Sequence, residues 1–212
     1  MTGLLRLDEG PRTGLPPEVI ASLREGGMVI CPTDTLYGIA VDPRSAAAVA
    51  RLVAAKSRDR GKPIPLLLSG PEEAARWARE VPNAATRLMR RFWPGALTLV
   101  LPAAPGIHPA VTGGGDTVGL RVPDHPVPRE LARGIGGAVT GTSANRGGEP
   151  GDWKSPEELV REFSGEADWI LWSGASGPGP GSTVVRATDE RPSLLREGAI
   201  PFRVVLEYLE KG

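Results

Sequence analysis

Five short stretches of this 212-residue chain combine side chains able to hold an anion. Lys56-Ser57-Arg58-Asp59-Arg60-Gly61-Lys62 places four cations within seven residues, just after a helix-like segment. Arginine offers a planar bidentate fork and lysine a compact charge, which suits a triphosphate. A solvated helix end, its cations complementing the dipole, satisfies the same pattern. Thr117-Val118-Gly119-Leu120-Arg121-Val122-Pro123 reads as a strand with one arginine among apolar residues. A cation there is costly to desolvate and needs an anionic ligand or a buried carboxylate as partner. Pro32-Thr33-Asp34-Thr35-Leu36-Tyr37-Gly38 joins two apolar runs. Its hydroxyls can bind a small polar ligand, or its Asp and Thr side chains can simply stabilise a turn. Gly141-Thr142-Ser143-Ala144-Asn145 and Gly181-Ser182-Thr183 have the same two readings, as carboxylate or phosphate contacts or as ordinary turns.

Other chemistries find little support. No G-x-x-x-x-G-K-[ST] phosphate loop occurs, nor a strand–G-x-G-x-x-G–helix unit. Two histidines, His108 and His125, and one cysteine, Cys31, argue against a metal cluster and exclude an intramolecular disulfide. His125, between Asp124 and Pro126, reads as a turn residue, and Trp93 as a packing residue. Lysine plus arginine and aspartate plus glutamate balance at 25 each, so any polyanion would need a local basic patch. Neither a secretory leader nor a membrane-length apolar window is present, and a cytoplasmic location is expected.

The elements that must position these residues follow from periodicity and punctuation. Pro16–Glu25, Ser45–Lys56, Pro71–Arg79, Ala84–Phe92, Val127–Ala132 and Phe202–Leu209 read as helices. Ser155-Pro156-Glu157-Glu158 is a capping box that starts another helix, running to about Phe163. Met28–Cys31, Ile39–Val41, Ile64–Leu68, Ala96–Leu101, Val118–Val122, Ala138–Thr140, Trp169–Trp172 and Thr183–Val185 read as strands. Helices and strands interleave without a repeat or clear linker. The expectation is one α/β domain over residues 1–212, with a twisted, mixed sheet and flanking helices.

Taken in order, the motifs P-T-D-T-L-Y-G, K-S-R with K-P, F-W-P-G-A-L-T, T-V-G-L-R-V-P-D-H-P, T-S-A-N, G-S-T-V-V and L-L-R-E-G-A-I resemble the YrdC-type threonylcarbamoyl-AMP synthase family. The resemblance spans about Gly26 to Ala199. It implies a sheet folded around a concave, positively charged cavity. It also implies the conversion of L-threonine, bicarbonate and ATP, with Mg²⁺, to threonylcarbamoyl-adenylate and pyrophosphate. The expected partners are proteins that transfer the threonylcarbamoyl group to tRNA, and tRNA itself, with no membrane involved. The chain looks like a short form without an added C-terminal domain.

Residue by residue, the resemblance implies that Thr35, Arg121, Ser143 and Ser182 bind threonine. Lys56 and Arg58 take the catalytic role at the phosphates and reacting carboxylates. Arg58, Lys62, Thr117, Gly141, Asn145 and Arg196 fall at nucleotide-contacting positions. Departures from the family pattern are Asp59 for proline, Leu67 for a histidine, Gly181 for glutamate and Glu197 for proline. Two other functions remain open: a carbamoyl-adenylate-forming carbamoyltransferase module, and a non-catalytic RNA-binding module.

Overall fold

The computed structural model describes residues 2–7, 14–56, 61–145, 153–175 and 179–211. Its strands are β1 (Gly3–Arg6), β2 (Val29–Cys31), β3 (Gly38–Ala40), β4 (Leu66–Leu68), β5 (Leu97–Pro102) and β6 (Thr117–Arg121). They continue with β7 (Ala138–Thr140), β8 (Thr142–Ser143), β9 (Trp169–Trp172), β10 (Thr183–Arg186) and β11 (Ser193–Arg196). The helices are α1 (Pro17–Arg24), α2 (Ala46–Ala55), α3 (Ala74–Trp77) and α4 (Asn83–Phe92). After them come α5 (Pro109–Thr112), α6 (Pro126–Gly134), α7 (Pro156–Phe163) and α8 (Phe202–Glu210).

The expected α/β architecture is present, but the strands divide between two mixed sheets. One has the order β1-β9-β2-β3-β8 and the other β11-β10-β5-β6-β4-β7. The chain crosses between them at Gly141, leaving β7 in one sheet and entering β8 in the other. Close approach explains the glycine, since a Cβ there would lie 2.5 Å from Leu67 Cγ. The sheets are stitched beside it. Thr140 N–H donates to Val41 O at 3.1 Å, Val41 N–H to Thr140 Oγ1 at 3.0 Å, and Thr140 Oγ1 to Ile39 O at 3.0 Å.

Strand alternation separates core from site. In β6, Val118 and Leu120 point into the larger hydrophobic cluster, which leaves Thr117, Gly119 and Arg121 on the opposite face. In β5, Leu97, Leu99 and Leu101 do the same and leave Thr98 on the site face. A second cluster, containing Val19, Leu23, Leu67, Leu131 and Val139, backs β4 and β7 with α1 and α6. Helix α2 buries Ala48, Val49, Leu52 and Ala55 and ends at Lys56, while Ser45 caps its start by accepting from Ala48 N–H. The capping box holds: Ser155 Oγ accepts from Glu158 N–H at the start of α7.

Candidate anion-binding site

Arg121 is the most constrained of the candidate residues. It ends β6 at 5% exposure. Its Nε donates to Gly95 O at 2.9 Å, Nη1 to Thr35 Oγ1 at 3.0 Å and Nη2 to Asp34 Oδ1 at 2.5 Å. Of the two partners its strand context allowed, the structure supplies the carboxylate. Asp34 itself is 15% exposed in its side chain, so this is an ion pair largely withdrawn from solvent. The F-W-P-G motif contributes by presenting Gly95 O. Its Trp93 is buried and donates Nε1–H to Leu97 O at 2.7 Å, a packing role.

The turn carrying Thr35 is built around Thr33. Thr33 Oγ1 accepts from Thr35 N–H at 3.0 Å and Leu36 N–H at 3.2 Å, and donates to Leu36 O at 2.7 Å. Tyr37 then stacks on Trp172 with ring centroids 5.4 Å apart, and its hydroxyl donates to Gly174 O at 2.8 Å. Gly38 pairs with Ser143 across β3 and β8, and Ala144 N–H donates to Tyr37 O at 2.7 Å. The Thr33–Gly38 and Gly141–Asn145 segments are therefore neighbours in one sheet.

Lys56 joins this pair of loops from the end of α2. Its Nζ donates to Ser143 O at 2.8 Å, to Asn145 Oδ1 at 2.8 Å and to Asn145 O. Ser143 Oγ in turn donates to Asn145 Oδ1 at 2.6 Å. The lysine head, 6% exposed, thus orders the T-S-A-N loop while bringing a positive charge beside it.

The second sheet supplies Ser182 and Arg196. Ser182 Oγ shares a 2.8 Å hydrogen bond with buried Thr98 Oγ1, and its carbonyl accepts from Arg196 Nη2 at 2.9 Å. Arg196 is exposed as a residue on edge strand β11, yet its guanidinium lies against Ser182. Its pKa is lowered, first by burial and then by the charge of Arg121. Two like charges therefore share this region, with Asp34 paired to one of them. Gly198 lets the strand return closely: a Cβ there would be 2.3 Å from Gly181 O. Glu197, the departure from proline, accepts from Phe202 N–H at 2.9 Å at the start of α8.

Arg121, Thr35, Ser143, Asn145 and Lys56 are thus linked through adjoining loops and strand ends, while Ser182 and Arg196 form a second hydrogen-bonded group that feels the charge of Arg121. Gly141 sits at the sheet crossover, donating N–H to Pro65 O at 2.7 Å. Lys62 is exposed after α2, and Thr117 lies at the far end of β6, about 13 Å along the strand from Arg121. Among the described residues, no side-chain hydrogen bond ties either to the other candidates. Arg58 and Asp59 lie outside the described residues. Leu67 packs in the second core cluster against Gly141. A surface cavity of about 770 Å³ bordered by Arg44, Trp77 and His108 contains none of these residues.

Asp34 and Thr98 were missed as site residues. Asp34 reads as a turn former, although the strand context of Arg121 allows a buried carboxylate as its partner. His125 Nδ1 caps α6 by accepting from Val127 N–H at 3.3 Å, as its turn reading anticipated. Cys31 is fully buried, and desolvation pushes its thiol up to about 12, which leaves it inert as a nucleophile.

Two mixed sheets meeting at a glycine crossover, with cations and hydroxyls gathered at their strand ends, define a two-sheet α/β protein. Residues 21–198 match the Sua5/YciO/YrdC family, described as "Telomere recombination", and the chain belongs to that family. It is 36% identical over 189 residues to a threonylcarbamoyl-AMP synthase of Pyrococcus abyssi, covering 89% of this chain and 54% of the relative. It is 37% identical over 184 residues to the Bacillus subtilis threonylcarbamoyl-AMP synthase, covering 86% and 53%. The chain therefore spans about half the length of these relatives. The P. abyssi Sua5 structure complexed with L-threonine superposes with a TM-score of 0.87 at 31% identity, covering 98% of this chain and 60% of that one.

Proposed function

We propose that this chain is a threonylcarbamoyl-AMP synthase. It converts L-threonine, bicarbonate or CO2, and ATP to L-threonylcarbamoyl-adenylate and pyrophosphate, for threonylcarbamoyladenosine formation in tRNA. The observation that carries the reading is buried Arg121 donating to Thr35, close enough to Arg196 for its charge to be felt there, in a chain of this family.

In this reading Arg121 and Thr35 hold the threonine carboxylate, and the Ser143 and Ser182 hydroxyls orient the amino acid. The neutral amine adds to CO2, forming the carbamate C–N bond and releasing a proton. A carbamate oxygen then attacks the α-phosphorus as the bond to pyrophosphate breaks. Lys56, Arg58 and Arg196 offset the phosphate charge, where positioning and electrostatics carry most of such a transfer. Gly141, Asn145, Lys62 and Thr117 line the nucleotide. Mg²⁺ entering with ATP would supply charge neutralisation at the phosphates, beside the cations of Lys56, Arg58 and Arg196.

The catalytic unit extends over the whole chain and acts in the cytoplasm, handing its product to tRNA-modifying partner proteins. No helix among the described residues is long and apolar enough to cross a membrane. The test supplies ATP and bicarbonate with either threonine or carbamoyl phosphate and measures pyrophosphate. Release that requires threonine supports the reading; release that requires carbamoyl phosphate and ignores threonine replaces it with carbamoyl transfer.

A further inference from the structure

The fork of Arg121 already holds two protein oxygens. Nη1 contacts Thr35 Oγ1 at 3.0 Å and Nη2 contacts Asp34 Oδ1 at 2.5 Å. These oxygens come from consecutive residues of one turn, and together they fill the two-point pattern by which a guanidinium receives a carboxylate. With side-chain exposures of 6% for Arg121 and 15% for Asp34, the pair is little screened by solvent.

We propose that Asp34 is a built-in competitor for the ligand carboxylate: it occupies Nη2 of Arg121, and an amino-acid carboxylate binds by exchanging with it. The inference rests on the reading of Arg121 as the threonine carboxylate partner. Three features favour exchange over a purely orienting role. Gly95 O fixes Nε at 2.9 Å, so the guanidinium keeps its place when Asp34 lets go. Thr33, not Asp34, holds the turn through its contacts with Thr35, Leu36 N–H and Leu36 O. Arg196, whose pKa is depressed partly by Arg121, adds a second cation that an incoming anion meets once Asp34 withdraws.

The exchange also sets specificity. A charged carboxylate can replace Asp34 on the fork, whereas an uncharged amide gains too little from the same nitrogens to do so. Asp34 thereby holds affinity below what the two arginines would reach alone.

Calorimetric titration of the full chain with threonine and with 3-hydroxybutyrate, which lacks the amine, tests this. Asp34→Asn is expected to tighten both ligands, threonine by about tenfold, while lowering the melting temperature without ligand. Asp34→Ser removes the same charge and serves if the asparagine variant fails to fold. Unchanged threonine affinity in a folded variant overturns the proposal. So does weaker threonine binding, which would make Asp34 an orienting group or the acceptor for the ammonium. If the wild-type chain binds neither ligand, the amino-acid reading of Arg121 fails first and the exchange fails with it.

Discussion

Replacing Arg121 by methionine isolates the central interaction, because the stem is retained and the charge and fork are lost. Asp34, its side chain 15% exposed, would lose its ion-pair partner, while Gly95 O and Thr35 Oγ1 would lose their donors at 2.9 and 3.0 Å. Removing one member of a buried pair costs about 3–5 kcal/mol, mostly the penalty of the charge left behind. Neutralising that charge should return much of it. We therefore expect Arg121→Met to lower stability by about 3–4 kcal/mol and the Arg121→Met/Asp34→Asn double variant to recover roughly 2 kcal/mol. Urea midpoints at constant slope give these values directly. Threonine-dependent pyrophosphate release should fall in both variants, since Asp34 cannot substitute for the fork. Losing the charge-assisted contact is worth about 2–4 kcal/mol in barrier, or roughly 30- to 1000-fold in rate. An unchanged midpoint in the single variant would refute the ion-pair account. Coupling below about 0.5 kcal/mol would do the same, and normal turnover in either variant would remove Arg121 from the site.

Two further outcomes follow from the geometry. Gly198→Ala places a Cβ 2.3 Å from Gly181 O and 2.5 Å from the Ser182 carbonyl carbon, backbone atoms that cannot rotate away. It should destabilise by about 1–3 kcal/mol or more and displace Ser182, lowering turnover; Gly141→Ala meets the Leu67 side chain first and should be milder, with Leu67→Ala restoring part of the loss. His125 is held below its ordinary 6.5, chiefly by burial, against the opposing pull of Asp34 and Asp124. Its contribution to stability is thus complete above about pH 6.5 and is lost as pH falls through the folded value. Protonating Nδ1 also removes the acceptor for Val127 N–H. His125→Asn keeps a capping oxygen without titrating, so its melting temperature should decline less than wild type between about pH 7.5 and 5.5; equal declines would contradict the assignment.

Elements with a strong period or clear punctuation were readable from sequence. Helix α2 shows this: Val49 and Leu52 share a face and Ser45 caps it. Short or exposed elements were not. Strand β8 has two residues, and β11 is exposed at all four positions, so neither carries the alternation that marks a half-buried strand. The expected helix over Pro71–Arg79 begins as a 3-10 turn, Pro71–Glu73, and ends at Trp77, after which Ala78 bridges to Ala103. A twisted sheet could be inferred, but its division at Gly141 depends on packing against Leu67 and Pro65, contacts distant in sequence. The site was legible as a set of residue types and as an ordered resemblance. Its pairings were not, because Arg121 lies 87 residues from Asp34. Lys56 illustrates the gap: a cation suited to phosphate also orders the Ser143–Asn145 loop.

The central claim is that one site joins threonine, a one-carbon unit and ATP. Radiolabelled threonine and radiolabelled bicarbonate, supplied in parallel reactions with ATP and Mg²⁺, test it most directly when products are separated and identified by mass. The account predicts a single adenylate carrying label from both sources, formed together with pyrophosphate and lost in Arg121→Met. An adenylate labelled by neither, or by threonine alone, would contradict it.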